Sequence, residues 1–320
     1  MRLFDVYIAV DWSSTSSPTS LTPRRDALWL GESSVEVATN SMVEHETYWR
    51  TRRQCVEHVQ NRLLYHTGEG RRVFLGFDFA YGYPKGFSKA LCLHGNASPW
   101  RQVWDEISRL IADDESNRNN RFQVAAQLNG QCGGATPGPF WGCPANAERE
   151  TLTRKSPRYP YLARGALPLQ RWRLTDRVVG GVQPVWKLTY PGSVGGQCLV
   201  GIPAVKVLRD HPSLSPFSSV WPFETGFTSK PTPESGPFIL HAEIWPGITP
   251  VPQVSGAEVR DQLQVRAMVR LLRGLDDAEL LGYLFQPPVD LSPTEIAASI
   301  GEEGWILGSG MKAFLLETLT

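Results

Sequence analysis

Three aspartates and a glutamate sit at the ends or openings of strongly patterned segments. Asp11 closes the apolar run Val6-Tyr7-Ile8-Ala9-Val10, and Asp78 closes Val73-Phe74-Leu75-Gly76-Phe77. Glu243 lies near the end of Phe238-Ile239-Leu240-His241-Ala242, and Asp261 opens an amphipathic stretch that runs to Leu272. Carboxylates at the carboxyl ends of buried strands can converge at one edge of a sheet, where hard divalent cations take oxygen ligands. Without a cationic partner, several buried negative charges are costly. Hydrolysis of a phosphodiester by two metals uses three or four carboxylates to hold cations about 3.5 to 4 Å apart, one activating water and one stabilising the leaving oxygen. The cofactor this pattern predicts is Mg2+ or Mn2+, held by Asp11, Asp78 and Asp261, with Glu243 as a fourth ligand or as a base that orients water. The plainer alternative is that Asp11 and Asp78 cap strand ends, Glu243 faces solvent and Asp261 favours a helix amino terminus. Glu57 is a lesser candidate, read as a solvated helix residue.

A second constellation could hold the substrate. Arg149, Arg154, Lys155, Arg158, Arg164, Arg171, Arg173 and Arg177 cluster in one stretch with only Glu150 and Asp176 as acids, and Tyr159, Tyr161 and Trp172 lie among them. Arginine forks suit phosphate, and aromatic rings offer stacking surfaces for bases. Within it Arg154, Lys155, Arg158, Arg171 and Arg173 are the expected backbone grip, against the alternative of a solvated loop paired with acids elsewhere. Arg121 is a further candidate, alone or paired with Glu224. So is Ser193, in Pro191-Gly192-Ser193-Val194-Gly195-Gly196-Gln197, where small residues before a helix can cradle an anion or simply make a tight packing turn. Phe77, Phe79, Tyr81 and Tyr83 read as core, with Tyr81 and Trp172 the rings nearest a possible base. His241 reads as a core histidine. No zinc spacing is present.

The elements that must position these residues follow from hydrophobic patterning. Residues 5–12 read as a buried strand. Ala27–Gly31 and Val35–Thr39 read as two more, joined by a Glu-Ser-Ser turn. Thr47–Tyr65 reads as a helix and 73–78 as a strand. A later block supplies a strand at 238–245 and a helix at about 257–273. The interruption at 79–237 is far longer than a loop and must carry its own structure. Helices are expected at 99–112 and 117–128, and again near 280–285, 293–300 and the last eight residues.

At 320 residues the chain is long enough for one large domain or two small ones. Its 41% hydrophobic and 20% charged content predicts a packed core. Zero net charge removes the global signature of a nucleic-acid binder and leaves local patches to carry any such contact. No apolar run approaches the roughly 20 residues of a membrane span. Five widely spaced cysteines without a Cys-x-x-Cys pair argue against a disulfide framework, and a reduced cytoplasmic setting is expected.

Tyr7-Ile8-Ala9-Val10-Asp11, Gly76-Phe77-Asp78-Phe79-Ala80-Tyr81-Gly82-Tyr83-Pro84 and Glu243-Ile244-Trp245-Pro246 resemble the markers of a large family of predicted RNase H-like nucleases. The chain departs from that pattern in Trp245, where tyrosine is usual, and in its long middle segment. The resemblance covers 5–84 and 238–273. It implies an α/β fold with an RNase H-like mixed sheet flanked by helices. The core would be 1–84 and 238–320, and 85–237 a helical, loop-rich insertion between the fourth and fifth core strands. It also implies a metal-dependent nuclease acting on nucleic acid or a nucleotide-like phosphorylated substrate. A nucleotide-dependent phosphotransferase of the actin and sugar-kinase superfamily is the alternative, since Asp11-Trp12-Ser13-Ser14-Thr15-Ser16-Ser17 resembles its first phosphate loop, although Trp12 replaces the usual glycine. A non-catalytic ligand- or partner-binding module on the same scaffold is the third.

Overall fold

Runs that are apolar without alternation belong to strands buried on both faces, and three such runs form the centre of one sheet. The computed structural model describes residues 2–35, 41–134, 136–190, 192–248, 254, 258–288 and 290–318. Its strands are β1 (Val6–Asp11), β2 (Leu28–Val35), β3 (Met42–Trp49), β4 (Arg72–Phe77), β5 (Tyr161–Ala163), β6 (Leu167–Leu169), β7 (Ser218–Val220) and β8 (Phe238–Glu243). The helices are α1 (Arg52–Gly68), α2 (Phe87–Ala90), α3 (Pro99–Leu110), α4 (Arg121–Cys132), α5 (Leu174–Val179), α6 (Gly195–Asp210), α7 (Arg260–Asp277), α8 (Leu281–Leu284), α9 (Pro293–Ala298) and α10 (Lys312–Thr318).

The result is an α/β architecture with a mixed six-stranded sheet in the order β3-β2-β1-β4-β8-β7, while β5 and β6 pair separately. β1 and β2 run antiparallel, as do β2 and β3; β4, β8 and β7 continue parallel to β1. Side chains alternate across each strand, so the sheet carries two cores. Val6, Ile8, Val10, Val73, Leu75, Phe77 and Ile239 face one, with Cys55, Val59 and Leu63 of α1 and the apolar faces of α3, α4 and α6. Tyr7, Ala9, Phe74, Leu240, Ala242 and Ile244 face the other, with Leu263, Val265, Met268 and Leu272 of α7. The middle segment, 85–237, therefore shares its core with the sheet, and through β7 it extends the sheet edge.

Gly31 shows why α7 can lie so close. A Cβ there would stand 2.9 Å from the carbonyl oxygen of Val265, so a side chain would push the helix off β2.

Two expectations near the amino terminus need correction. Glu32-Ser33-Ser34 is not a turn but the interior of β2, in register with His45, Glu44 and Val43 of β3. Turn-like composition misleads here because Glu32 has partners in α1. Arg62 Nε donates to its carboxylate at 2.9 Å and Arg62 Nη2 at 2.6 Å, and His66 Nε2 lies 3.0 Å away. Of the strand expected at Val35–Thr39, residues 36–39 lie outside the described residues, as does Pro191. The first helix begins at Arg52, capped by Thr51, whose hydroxyl accepts from Gln54 N; Thr47 and Trp49 belong to β3. The helix expected at 117–128 starts at Arg121. Among the described residues no helix is long and apolar enough to cross a membrane.

Burial alone would raise the Glu32 carboxyl, but the hydrogen bonds from His66 and Arg62 outweigh it and hold the group at about 2. Its folded value lies below its ordinary 4.5, so its contribution is full above that value and disappears as pH falls toward 2. Glu32→Gln should therefore cost about 2 kcal/mol at pH 7 in urea melts. The gap from wild type should close on acidification through that window; a gap independent of pH would contradict the ion-pair account.

Candidate functional site

Asp11 and Asp78 leave the sheet side by side. Val10 and Phe77 are the last aligned pair of β1 and β4, and each acid is the next residue of its chain. Parallel neighbours stand about 4.8 Å apart. Asp11 follows Ala9 by two residues and Asp78 follows Gly76 by two, so both face the α7 side. Asp261 lies in the first turn of α7 on that same side. The backbone orients two of the three. Trp12 N–H donates to Asp78 Oδ1 at 2.7 Å, and Asp26 N–H donates to Asp261 Oδ2 at 2.8 Å. Asp11 has no hydrogen-bond or ion-pair partner among the described residues.

The electrostatics show that these side chains share one field. Burial, followed by the negative charges of Asp78, Asp261 and Asp26, pushes the Asp11 carboxyl well above the usual carboxylate range. Burial pushes Asp78 up to about 7, with Asp261 adding to the rise and the Trp12 N–H opposing it. Asp261 is raised by burial and by Asp26, against the pull of the Asp26 N–H, Arg25 and Arg260. No arginine or lysine forms a salt bridge with any of the three among the described residues.

Three oxygen donors of like charge, half-buried and without a salt bridge among the described residues, fit a hard divalent cation in kind. They stand in a shared field and not yet in a chelate: among the described residues no three His, Cys, Asp or Glu side chains are gathered tightly enough to hold a metal ion.

Glu243 does not join them. It aligns with Phe77, one level below Asp78, and so faces the opposite side of the sheet. There Arg173 takes both of its oxygens, Nη1 to Oε2 and Nη2 to Oε1, each at 2.6 Å. Tyr81 N–H also donates to Oε2 at 3.2 Å. Arg173 is 2% exposed and turns its other edge to Asp176, with Nη2 to Oδ1 at 2.8 Å. It also donates to the carbonyl of Glu303 at 3.2 Å. Both residues thus depart from expectation. Glu243 is the anion of an internal ion pair, and Arg173 is that pair's cation, closed to a substrate backbone as it stands. Gly82, in the turn after Asp78, packs on the same region; a Cβ there would meet the Glu302 carbonyl oxygen at 2.4 Å.

The rest of the basic stretch is on the surface. Arg149, Arg154, Lys155, Arg158, Arg164, Arg171 and Arg177 are exposed, and Arg154 reaches Glu148 at 3.5 Å. Arg158, Arg171, Arg177, Tyr159 and Trp172 line an open cavity of about 460 Å³, with the Arg171 guanidinium 5.3 Å from the Trp172 ring centre. Tyr81 is 1% exposed and packs edge-on to Trp104, so it has no face to offer a base; Phe77, Phe79 and Tyr83 are equally buried. His241 is buried, with Nε2 3.4 Å from Ser218 Oγ. Glu57 is solvated and pairs with Arg53. Glu224 pairs with Arg209, not with Arg121. Ser193 is half-buried, its N–H donating to the Tyr190 carbonyl at 3.0 Å.

Gly195 and Gly196 make a packing turn. Added Cβ atoms would stand 2.3 Å from the Val185 oxygen and 2.6 Å from the Leu188 oxygen respectively.

Asp26 is the residue that sequence reasoning missed. It lies in an irregular loop with a left-handed φ of 55°, and no periodicity marks it. Comparison with protein-family models, curated proteins and solved structures finds no match to this chain.

Proposed function

We propose that the chain is a metal-dependent hydrolase of phosphodiester bonds, a nuclease-type enzyme on an RNase H-like core, with Asp11, Asp78 and Asp261 as its cation-holding set. One observation carries this reading: three acids from distant segments turn to one face of the sheet edge, and among the described residues none of them is held in a salt bridge. Buried or half-buried charges without partners are costly, and such arrangements recur at functional sites. The strand order β3-β2-β1-β4-β8, with α7 delivering Asp261 across β1, supports the RNase H-like assignment. Bound Mg2+ or Mn2+ would supply activation of water and stabilisation of the leaving oxygen.

The protein's own part is orientation. The Trp12 N–H aims Asp78, the Asp26 N–H aims Asp261, and Asp11 keeps both oxygens available. Glu243 lies outside this set, on the far side of the sheet. The exposed cations Arg154, Lys155, Arg158 and Arg171, with Trp172 half-buried beside them, suit the backbone and bases of a single-stranded nucleic acid.

The purified chain should cleave a fluorescent single-stranded oligonucleotide or bis(p-nitrophenyl) phosphate with Mn2+ or Mg2+ and fall silent in EDTA. Cleavage unaffected by EDTA, or none with either metal on both substrates, would sink the proposal.

A further inference from the structure

Arg121 is a guanidinium buried without an acid to pair with. It is 7% exposed, and its Nε is enclosed with no hydrogen-bond partner. Nη1 donates to Ser16 Oγ and to Asn119 Oδ1, both neutral, at 2.8 Å each, and the group lies 4.4 Å from the Phe122 ring centre. Of the two nearby full charges, Arg52 works against it and Asp113 favours it only at a distance. Arg52 stands close enough to repel it, and Asp113, the nearby acid, is already held by two Arg52 nitrogens. Burial first, then Arg52, draws the Arg121 guanidinium down to about 10. A buried cation in this state is expensive unless an anion visits it.

What Arg121 faces is the amino end of the 16-residue helix α6. A Cβ on Gly196 would stand 2.6 Å from the Leu188 carbonyl oxygen, 3.1 Å from Ser14 Oγ and 3.4 Å from Arg121 Nε, so both polar side-chain atoms line the first turn beside that carbonyl. Neither Gly196 N–H nor Gln197 N–H has a backbone acceptor among the described residues, and no side chain caps this end. The Ser14 hydroxyl is likewise without a partner there. Arg52 fixes the loop that carries Ser14 by donating to the carbonyls of Ser13 and Thr15 at 3.0 and 2.8 Å.

We propose that the Ser14 hydroxyl, the Arg121 guanidinium and the amino terminus of α6 form a subsite for a phosphate oxyanion. Oriented N–H groups and the helix dipole favour such an anion, and a guanidinium supplies the matching charge. The subsite adjoins the aspartates through a single residue. Trp12 donates its N–H to Asp78, and its carbonyl accepts from the Gln197 side chain in the first turn of α6. Its role in cleavage, holding a phosphate next to the scissile one, rests on the proposed hydrolase; the anion binding itself does not.

The test uses inorganic phosphate as the probe and EDTA throughout, so no cation at the aspartates enters the result. Wild type should melt about 3 °C higher in phosphate than in chloride of equal ionic strength. Arg121→Met should lose that increment, whereas Arg109→Gln, which removes an exposed cation elsewhere, should keep it. The variants also separate site occupancy from the general stabilising action of phosphate on folded proteins. Should Arg121→Met fail to fold, Ser14→Ala, which alters a half-exposed hydroxyl, should at least halve the increment. An increment identical in wild type and Ser14→Ala or Arg121→Met, or absent in wild type, overturns the subsite. Phosphate binding without cleavage of either the oligonucleotide or bis(p-nitrophenyl) phosphate leaves the subsite standing and removes the hydrolase; cleavage without phosphate binding does the reverse.

Discussion

Asp11→Asn should lower metal-dependent phosphodiester cleavage by at least about a thousandfold, equivalent to roughly 4 kcal/mol of transition-state stabilisation, while the protein stays folded. The two halves of that result have separate causes. Asp11 has no hydrogen bond or ion pair to lose among the described residues, and its carboxyl is already held far above the ordinary range by burial and by Asp78, Asp261 and Asp26. Replacing it with a neutral amide of the same shape relieves repulsion, so the melting temperature in EDTA at pH 8 should rise. A bound divalent cation, by contrast, stabilises the native state by mass action. Millimolar Mn2+ should therefore raise the melting point of wild type and leave that of Asp11→Asn nearly unchanged. Oligonucleotide cleavage and paired melts with EDTA or Mn2+ check both halves. An active Asp11→Asn enzyme would falsify the assignment of the cation set. A variant that is inactive but also strongly destabilised would show Asp11 to be structural.

How much of this was legible in the sequence depends on what kind of signal each residue left. Asp11 and Asp78 end apolar runs, and their strands are buried on both faces, so the runs themselves announce the central strands. The same lack of alternation hid which face each acid takes. Glu243 ends a run of the same kind, and only the pairing of Glu243 with Phe77 reveals that it points away from Asp78. A one-residue difference in level reverses the face, and register is a long-range property that no single strand carries. Arg173 was harder still. It sits among exposed cations, and its partner Glu243 lies 70 residues away in the chain; the local hint was Asp176, three residues on. Glu32-Ser33-Ser34 looked like a turn because its composition is polar, whereas Arg62 and His66 make burial of Glu32 tolerable. Arg121 stood out by type alone, and what distinguishes it, a nearby acid already held by another guanidinium, exists only in three dimensions.

Arg173→Met should be among the most damaging single substitutions available, costing about 3 to 5 kcal/mol in denaturant melts. The side chain's length and packing are nearly kept, so the loss is electrostatic. Glu243 and Asp176 are each nearly inaccessible to water, and both would lose the guanidinium they now share. Even with Arg173 present, burial keeps the Glu243 carboxyl raised, because the attraction of the guanidinium does not fully offset it. Removing Arg173 must raise it further. A carboxyl raised in the folded state contributes its stability below the unfolded value and loses it as pH climbs through the folded one. The variant should therefore be closest to wild type in mild acid and fall behind progressively toward neutral pH. Adding Glu243→Gln to Arg173→Met should recover part of the loss, since a neutral amide needs no counter-charge, whereas Glu243→Gln alone should destabilise by leaving Arg173 with a single acid. This double-mutant cycle separates the two carboxylate classes of the sheet edge. At a temperature where it remains folded, Glu243→Gln should retain most of the metal-dependent cleavage that Asp11→Asn abolishes. If instead it stays fully stable and loses cleavage as completely, then Arg173 must release Glu243 to the aspartates on the other side of the sheet, and the ion pair is the resting state of a fourth ligand.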